Sequence, residues 1–227
     1  MRDEPGLTRT RPRPARWRDS RAFAASGTVA LAVGFAIFAY YANTLDAFPL
    51  ETSVSTWVQS WSRPWLDTLM KVISAPGMLA IAGPLVLVAS AALFLKGWRR
   101  DALMFLILAA AGRLIALGIK TAVARPRPSE DLIQLIQQSE SYSFPSGHVT
   151  HYTIVLGLLA VLLEARLGPS KGLRILQAAF AVALLAMGLS RIYLGAHWLS
   201  DVAAGYVLGG ACVLAAAWAW RRWAPGL

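Results

Sequence analysis

Six apolar runs, most of them long enough to cross a lipid bilayer, divide this chain of 227 residues. A bilayer core is about 30 Å thick, and a helix that rises about 1.5 Å per residue crosses it with about 20 apolar residues. Inside lipid the backbone can bond only to itself, so segments of this length form α-helices. The runs cover residues 24–41, 78–95, 102–119, 149–163, 175–189 and 202–220. We therefore predict an all-α, integral-membrane bundle of six transmembrane helices.

The overall composition supports a membrane protein and argues against other classes. Hydrophobic residues make up 56% of the chain and charged residues 15%, whereas soluble proteins average about 45–50% and about 25%. A formal net charge of +10 would suggest nucleic-acid binding in a soluble protein, but here the basic residues lie mostly at the ends of apolar runs. We expect membrane lipids as partners, no nucleic acid and no obligate protein partner. The single cysteine, Cys212, excludes an intrachain disulfide.

The distribution of lysine and arginine predicts the orientation of the bundle. Residues 1–22 carry seven arginines, and the turns at 96–100 and 164–174 and the C-terminus bring the total on this side to fifteen of 22 basic residues. Cytoplasmic loops are rich in Lys and Arg, so we expect both termini to be cytoplasmic. We predict a basic, disordered cytoplasmic tail over 1–22 and one six-span domain over 23–222. The short loops are typical of a bacterial protein of the inner or plasma membrane.

Chemically active side chains gather on the opposite, periplasmic or extracytoplasmic side, at the ends of four predicted spans. They are Lys120, Arg127, Ser146, Gly147, His148, Arg191, His197 and Asp201. Lysine and arginine offer positive charge and several donors to a phosphate, and arginine can bind it in a bidentate manner. Ser146 and Gly147 precede a predicted helix, whose free N–H groups favour an anion, and glycine lets the backbone approach closely. The set predicts a phosphate-binding site.

His197 and Asp201 are four residues apart, and on a helix this spacing places both side chains on one face. The carboxylate can then hold the imidazole in one tautomer and stabilise its cation, as in a Ser-His-Asp triad. The other ring nitrogen of His197 would be free to attack phosphorus, and His148 would be the general acid for the leaving oxygen. Three cations can carry the charge of the transition state, so we expect no metal and no cofactor.

These residues form three motifs, at 120–128, 145–148 and 190–201. The first is a lysine followed after six residues by Arg-Pro, the second is Pro-Ser-Gly-His, and the third is Ser-Arg, five residues, His, three residues, Asp. Their order and spacing resemble the signature of the type 2 phosphatidic acid phosphatase family, which is similar to vanadium haloperoxidases and glucose-6-phosphatase. The resemblance implies a phosphohistidine intermediate on His197. It also implies phosphate binding by Lys120, Arg127, Ser146, Gly147, His148 and Arg191.

The predicted activity is metal-independent hydrolysis of lipid phosphomonoesters or diphosphates on the outer face of the membrane. Phosphatidate, phosphatidylglycerophosphate, isoprenyl diphosphate and lipid A phosphate are all candidate substrates. Two alternatives remain open. A phosphotransferase would pass the phosphoryl group from histidine to a lipid or sugar hydroxyl. A non-enzymatic lipid-binding or transport protein of the same fold would be expected to have lost catalytic residues, and here every position is filled.

Two further ionisable residues are candidates for substrate contact. Arg113 lies about twelve residues into the third predicted span, where an ionisable side chain is expected to be functional. It precedes Lys120 by seven residues, which places both near one helix face. Arg113 would contact a substrate headgroup or bind the carbonyls of a neighbouring helix. His151 follows His148 by three residues and would line the pocket or pack; a metal site at this pair lacks a third ligand.

Two segments on the outer side are expected at the membrane interface. Residues 129–143 contain apolar pairs three residues apart, which predict a short amphipathic helix beside the phosphate site. Such a helix would favour a lipid substrate over a soluble sugar phosphate. Trp57, Trp61 and Trp65 are spaced by four residues and either share an interfacial face or pack against the bundle.

Overall fold

The computed structural model describes residues 16–44, 50–138 and 140–223. Within these ranges, side chains are described for residues 24–220. The described part contains α-helices and no strand, which confirms the predicted all-α class. The helices are α1 (Arg16–Thr44), α2 (Glu51–Gln59), α3 (Pro64–Ser74), α4 (Leu79–Leu95), α5 (Arg99–Val123), α6 (Gly147–Leu167), α7 (Lys171–Tyr193) and α8 (Leu199–Trp223). A short 3-10 turn, Ala75–Gly77, joins α3 to α4.

Within the described residues, five helices are long and apolar enough to cross a membrane on their own. These are α1, α5, α6, α7 and α8. The sixth candidate span is formed by two helices together, α3 with its 3-10 turn and α4. The pair is long and apolar enough to cross a membrane, and the two helices meet at a bend of 55°. Large apolar side chains such as Val33, Leu114 and Leu185 are exposed on the outside of these helices. Such surfaces need a hydrocarbon environment, so the protein is a multi-pass membrane protein.

Helix α8 lies at the centre of the bundle and packs against both α1 and α6. Its glycines let α6 approach closely: a Cβ at Gly205 would meet Val149 and the Ser146 carbonyl, and one at Gly209 would meet Thr153. Small residues allow this close packing of helices in membranes. The approach brings the start of α6 against the start of α8, where the Ser146 N–H donates to the Asp201 carbonyl at 3.0 Å.

The start of the helical domain differs from the sequence prediction. Helix α1 begins at Arg16, so residues 16–22, which we assigned to a disordered tail, are helical. The apolar run starts only at residue 24, but the helix extends beyond it because nothing in residues 16–23 breaks a helix, neither glycine nor proline. Residues 1–15 lie outside the described part of the chain.

The amphipathic helix predicted over 129–143 is wrong. The described residues of this loop have no regular helix, and two consecutive N–H groups, those of Ile136 and Gln137, donate to the Leu194 carbonyl at 3.1 and 3.0 Å. These long-range bonds replace the local bonds that a helix would make. Ile133 is buried. The apolar residues of this loop therefore reflect contact with the bundle and not a helical face.

The three tryptophans do not share one helix. Trp57 lies in α2 and Trp65 in α3, and Trp61 lies in the connection between the two helices. All three side chains are about two-thirds exposed. The exposure favours the interfacial interpretation over packing against the bundle, because tryptophan is enriched where lipid meets water.

Candidate active site

The structure brings the ends of four helices and two loops together at one end of the bundle. Lys120 lies in the last turn of α5, and Arg191 lies in the last turn of α7. Ser146 is the N-cap of α6, and Gly147 and His148 form its first turn. Arg127 lies in the loop after α5, His197 in the short loop between α7 and α8, and Asp201 in the first turn of α8. All eight predicted residues are therefore at the same end.

The His197 ring is fully enclosed and has two chemically different sides. Its Nδ1 faces the carboxylate, 3.6 Å from Asp201 Oδ2, and lies 3.4 Å from the Ser143 hydroxyl. Its Nε2 faces the opposite way, 3.5 Å from a guanidinium nitrogen of Arg127. The ring is 1% exposed. This orientation can keep the proton on Nδ1 and leave the Nε2 lone pair directed at the cations, which is the arrangement a nucleophile requires.

Asp201 is held by several donors at once. Oδ1 accepts from Arg125 at 2.8 Å, and Oδ2 accepts from the Trp198 N–H at 2.9 Å and from the Ser143 hydroxyl. The side chain is completely buried. Bonds from several donors fix the position of this buried carboxylate. The predicted pairing of His197 with Asp201 is therefore supported by a further serine that the sequence did not indicate.

A buried ionic network lies behind this aspartate. Arg125 donates to Glu51 at 2.7 Å and to the Ser200 hydroxyl at 2.7 Å in addition to Asp201. Glu51, at the start of α2, also accepts from the Ser200 N–H at 2.9 Å and from its hydroxyl. The three charged side chains are at most 3% exposed. This network joins helix α2, the α5–α6 loop and α8 directly beneath the site.

Sequence reasoning did not identify Arg125, Glu51, Ser143 or Ser200. The one local signal was the repeat Arg125-Pro126-Arg127-Pro128, in which the second arginine fits the motif and the first has no obvious role. Glu51 follows a leucine in a mixed segment and has the pattern of an ordinary surface residue. A buried ion pair between residues 74 positions apart leaves no periodic trace in the sequence.

The three cations of the site are held by neutral oxygens. Lys120 Nζ donates to the carbonyls of Tyr142 and Ser143, the latter at 3.2 Å. Arg191 donates to the Ser74 hydroxyl and to the Gln137 side-chain amide, the latter at 3.1 Å. Arg127 donates to three carbonyls and one hydroxyl: those of Ser141, Tyr142 and Ala196, and the Ser141 side chain.

Among the described residues, none of these cations forms a salt bridge with a carboxylate. Neutral carbonyls fix the position of a cation but do not cancel its charge. The end of the bundle therefore presents concentrated positive charge, which attracts an anion, and the buried surroundings strengthen that attraction.

Several buried polar atoms of the site have no hydrogen-bond partner among the described residues. They include Ser146 Oγ, His148 Nε2 and Arg191 Nε. Buried polar atoms are nearly always bonded, so a group of exceptions requires an explanation. A Cβ at Gly147 would meet open space, and the first N–H groups of α6 have no partner within the helix. These atoms can be satisfied by an anion placed among them.

The turn between α3 and α4 fixes the position of His148. A Cβ at Gly77 would collide with the His148 ring, so only glycine permits the turn to lie against it. The positive charge of Arg113 acts electrostatically on His148 and His151. His151 is buried, its ring lies against the Ala109 carbonyl, and its Nδ1 has no partner among the described residues.

An open cavity of about 330 Å³ reaches Arg127 from the outer surface. It is lined by Arg127, Pro128, Leu135, Gln137, Gln138, Glu140, Gly195 and Ala196. The cavity connects Arg127 to water beside the loop that replaces the expected amphipathic helix. Within the described residues, no three His, Cys, Asp or Glu side chains are grouped as metal ligands.

The known proteins that resemble this chain include several named as phosphatases. The family model described as the PAP2 superfamily matches residues 100–225. Phosphatidylglycerophosphatase B of Bacillus subtilis is 30% identical over 182 residues, which are 80% of this chain and 88% of that protein. The decaprenylphosphoryl-5-phosphoribose phosphatase of Mycobacterium tuberculosis is 35% identical over 150 residues, which are 61% and 78%. The crystal structure of a transmembrane PAP2-type phosphatidylglycerolphosphate phosphatase from Bacillus subtilis superposes with a TM-score of 0.80, at 27% identity, over 88% of this chain and 98% of that one.

Proposed function

Because the chain belongs to the PAP2 superfamily, we propose that it is a membrane phosphatase that hydrolyses lipid phosphomonoesters or diphosphates through a phosphohistidine on His197. One observation carries the proposal: the His197 ring has a carboxylate at Nδ1 and a cation at Nε2. The relatives named for phosphorylated lipids support a lipid substrate. Candidate substrates are phosphatidate, phosphatidylglycerophosphate, isoprenyl diphosphate and lipid A phosphate.

The proposed reaction has two steps. In the first, His197 Nε2 attacks phosphorus, a P–N bond forms, and the P–O bond to the lipid breaks as His148 donates a proton to the leaving oxygen. In the second, His148 takes a proton from water, the resulting hydroxide attacks phosphorus, and the P–N bond breaks to release phosphate. Asp201 stabilises the His197 cation that exists between the two steps.

In this proposal, the cations supply the electrostatic stabilisation. Lys120, Arg127 and Arg191 donate to the oxygens of the transferred phosphoryl group, together with the Ser146 hydroxyl and the Gly147 N–H. The negative charge of the transition state is then matched without a metal ion. Arg113 and His151 would contact the substrate outside the reacting phosphate.

The simplest test is phosphate release by purified protein in detergent with EDTA present. The panel contains phosphatidate, phosphatidylglycerophosphate, isoprenyl diphosphate and lipid A. We expect release from at least one lipid, at a rate unchanged by EDTA, because the three cations replace a metal. Loss of turnover in EDTA, with recovery on adding a divalent metal, would reject the metal-free mechanism. No release without an added hydroxyl acceptor, but transfer to it, would favour a phosphotransferase; no reaction in either case would favour a lipid-binding protein.

The proposed topology has cytoplasmic termini and the site on the periplasmic or extracytoplasmic side of a bacterial inner or plasma membrane. Fifteen of the 22 basic residues support it, because their positions in the sequence predict that they lie on the side opposite the site. We expect a cysteine-reactive, membrane-impermeant reagent to label a Glu140→Cys variant in intact cells and to spare a Lys171→Cys variant. Both positions are exposed at opposite ends of the bundle. The reverse labelling pattern would overturn this orientation.

The pH dependence of turnover is expected to reflect the surroundings of His197. Burial, together with the charges of Arg127, Lys120 and Arg191, holds the pKa of His197 well below its usual value of 6.5. Only the uncharged ring can attack phosphorus, so activity falls as pH drops through this lowered pKa. We expect the acidic limb of kcat/KM that belongs to His197 to lie below pH 6.5.

The comparison variant for this prediction is Arg127→Gln. Removing a neighbouring cation raises the pKa of His197, so the acidic limb should move to higher pH even as overall turnover falls. The substrate phosphate titrates identically in both assays, and the difference therefore belongs to the enzyme. Superimposable limbs for the two proteins would contradict the predicted protonation state.

A further inference from the structure

Arg113 lies at an unusual depth for a charged side chain. It precedes the outer end of α5 at Val123 by ten residues, which is about 15 Å along the helix axis. Its neighbours Leu114 and Leu117 are exposed on the outside of the bundle, where hydrocarbon is expected. An ionisable residue at such depth is rare and generally functional.

The Arg113 guanidinium has no hydrogen-bond or ion-pair partner among the described residues. Two other arginines are paired with carboxylates: Arg125 with Glu51 and Asp201, and Arg166 with Asp101. Charged groups inside a membrane protein are normally paired with each other or with backbone carbonyls. Arg113 therefore carries a positive charge with no anionic partner among the described residues.

On α5 and α6, no described acidic side chain lies near Arg113, and two histidines lie on the neighbouring helix. Helix α6 approaches closely here, since a Cβ at the adjacent Gly112 would collide with Ile154. His151, 5% exposed, has an Nδ1 with no partner among the described residues, and His148 lies one turn closer to the start of α6. The acidic residues of α5 and α6, Asp101 and Glu164, are at the opposite ends of these helices. The region suits an anion.

This region is deeper in the membrane than the phosphate site. Arg113 precedes Lys120 by seven residues, which is two helical turns and about 10 Å along the same face. The charges of both residues act electrostatically on His148. A lipid keeps its hydrocarbon tail in the bilayer, so the group next to the reacting phosphate on the tail side must lie deeper. That group would meet Arg113.

We propose that Arg113 and His151 form a second anion subsite, which binds the tail-side phosphate of a lipid that carries two phosphates. The subsite rests on the proposed function, because it assumes that the outer site holds the phosphate that is cleaved. Two sources share the required chemistry: a diphosphate joined directly to a lipid chain, and a phosphodiester that precedes a terminal phosphate. Lipids with a single phosphate leave the subsite empty.

The test compares lipids that carry two phosphates with related lipids that carry one. One pair is isoprenyl diphosphate and isoprenyl monophosphate, and the other is phosphatidylglycerophosphate and phosphatidate. Arg113→Gln should lower kcat/KM for the two-phosphate members by about tenfold to a hundredfold, the range for a hydrogen bond to a charged group. It should leave the one-phosphate members within about threefold, and Arg113→Lys should restore part of the loss. The pair with the larger loss identifies the source of the second phosphate.

Two controls separate the subsite from other roles. Lys120→Gln should lower kcat/KM for all four lipids by the same factor, because every substrate uses the outer site. An equal loss for all four lipids in Arg113→Gln, or no loss for any, would overturn the subsite. If the wild-type protein releases phosphate from no lipid, the proposed function fails instead.

A binding measurement tests the subsite independently of turnover. A lipid methylene-bisphosphonate should raise the thermal unfolding midpoint of the wild type more than the matching monophosphonate does. Arg113→Gln should remove that difference, while His151→Gln should reduce it. Equal midpoint shifts for the two ligands in the wild type would reject the second site even if the protein proves inactive as an enzyme.

Discussion

Purified His197→Ala protein is expected to release no measurable phosphate from any lipid that the wild type hydrolyses. The ring supplies the nucleophile, and nothing else among the described residues of the site combines a buried lone pair with a carboxylate behind it and cations in front. Loss of a catalytic nucleophile lowers turnover by about 10⁴-fold to 10⁶-fold. Steady-state phosphate release in detergent measures the effect.

The same protein pair tests the intermediate directly. Wild-type protein quenched during turnover of a lipid labelled in its terminal phosphate should carry acid-labile label on protein, and the His197→Ala variant should carry none. His151→Ala is the matched control, because it removes a buried histidine on the neighbouring helix and leaves the nucleophile. It should retain the label. Turnover within about tenfold of wild type in His197→Ala would remove this residue from the mechanism.

Arg125→Met is expected to cost both stability and activity. The side chain joins two buried carboxylates, and removing it leaves Glu51 and Asp201 without their shared cation. Breaking a buried ion pair from one side costs about 3–5 kcal/mol. The thermal unfolding midpoint in detergent should fall by several degrees, and turnover should fall because Asp201 no longer has a fixed position.

Arg127→Met provides the control, two residues along the chain. Arg127 is partly exposed and bonds only to neutral oxygens among the described residues, apart from its approach to His197. Its loss should lower turnover while leaving the unfolding midpoint nearly unchanged. Glu51→Gln keeps the shape of the side chain and removes one charge. Its unfolding midpoint should lie between those of the two arginine variants. A stable, active Arg125→Met protein would show that the network does not position the aspartate.

Much of the fold was predictable because the bilayer imposes simple rules. Span length and apolar composition identified the helices. The second predicted span, residues 78–95, corresponds to α4, which follows α3 and its 3-10 turn at a bend of 55°. The relative placement of Lys120, His148 and His197 followed from counting spans, since alternate loops lie on the same side. Each of these inferences uses local sequence only.

The remaining features depend on contacts between distant segments. Glu51 meets Arg125 across 74 residues, and no local pattern marks either side chain as buried. The loop that contains Ile136 has the apolar spacing of a helix, but the Leu194 carbonyl, supplied from the end of α7, binds its N–H groups instead. Gly77 has the appearance of an ordinary turn glycine until the His148 ring is seen against it.

The network around Arg125 has a consequence for the biogenesis of the protein. Its members come from the start of α2, the α5–α6 loop and α8: Glu51, Arg125 and Asp201. During synthesis, Glu51 and Arg125 emerge long before α8, so the cluster can close only after α8 enters the bilayer. The proposed catalytic centre is thus completed only when α8 is in place, and phosphatase activity can serve as a reporter of the insertion of this helix.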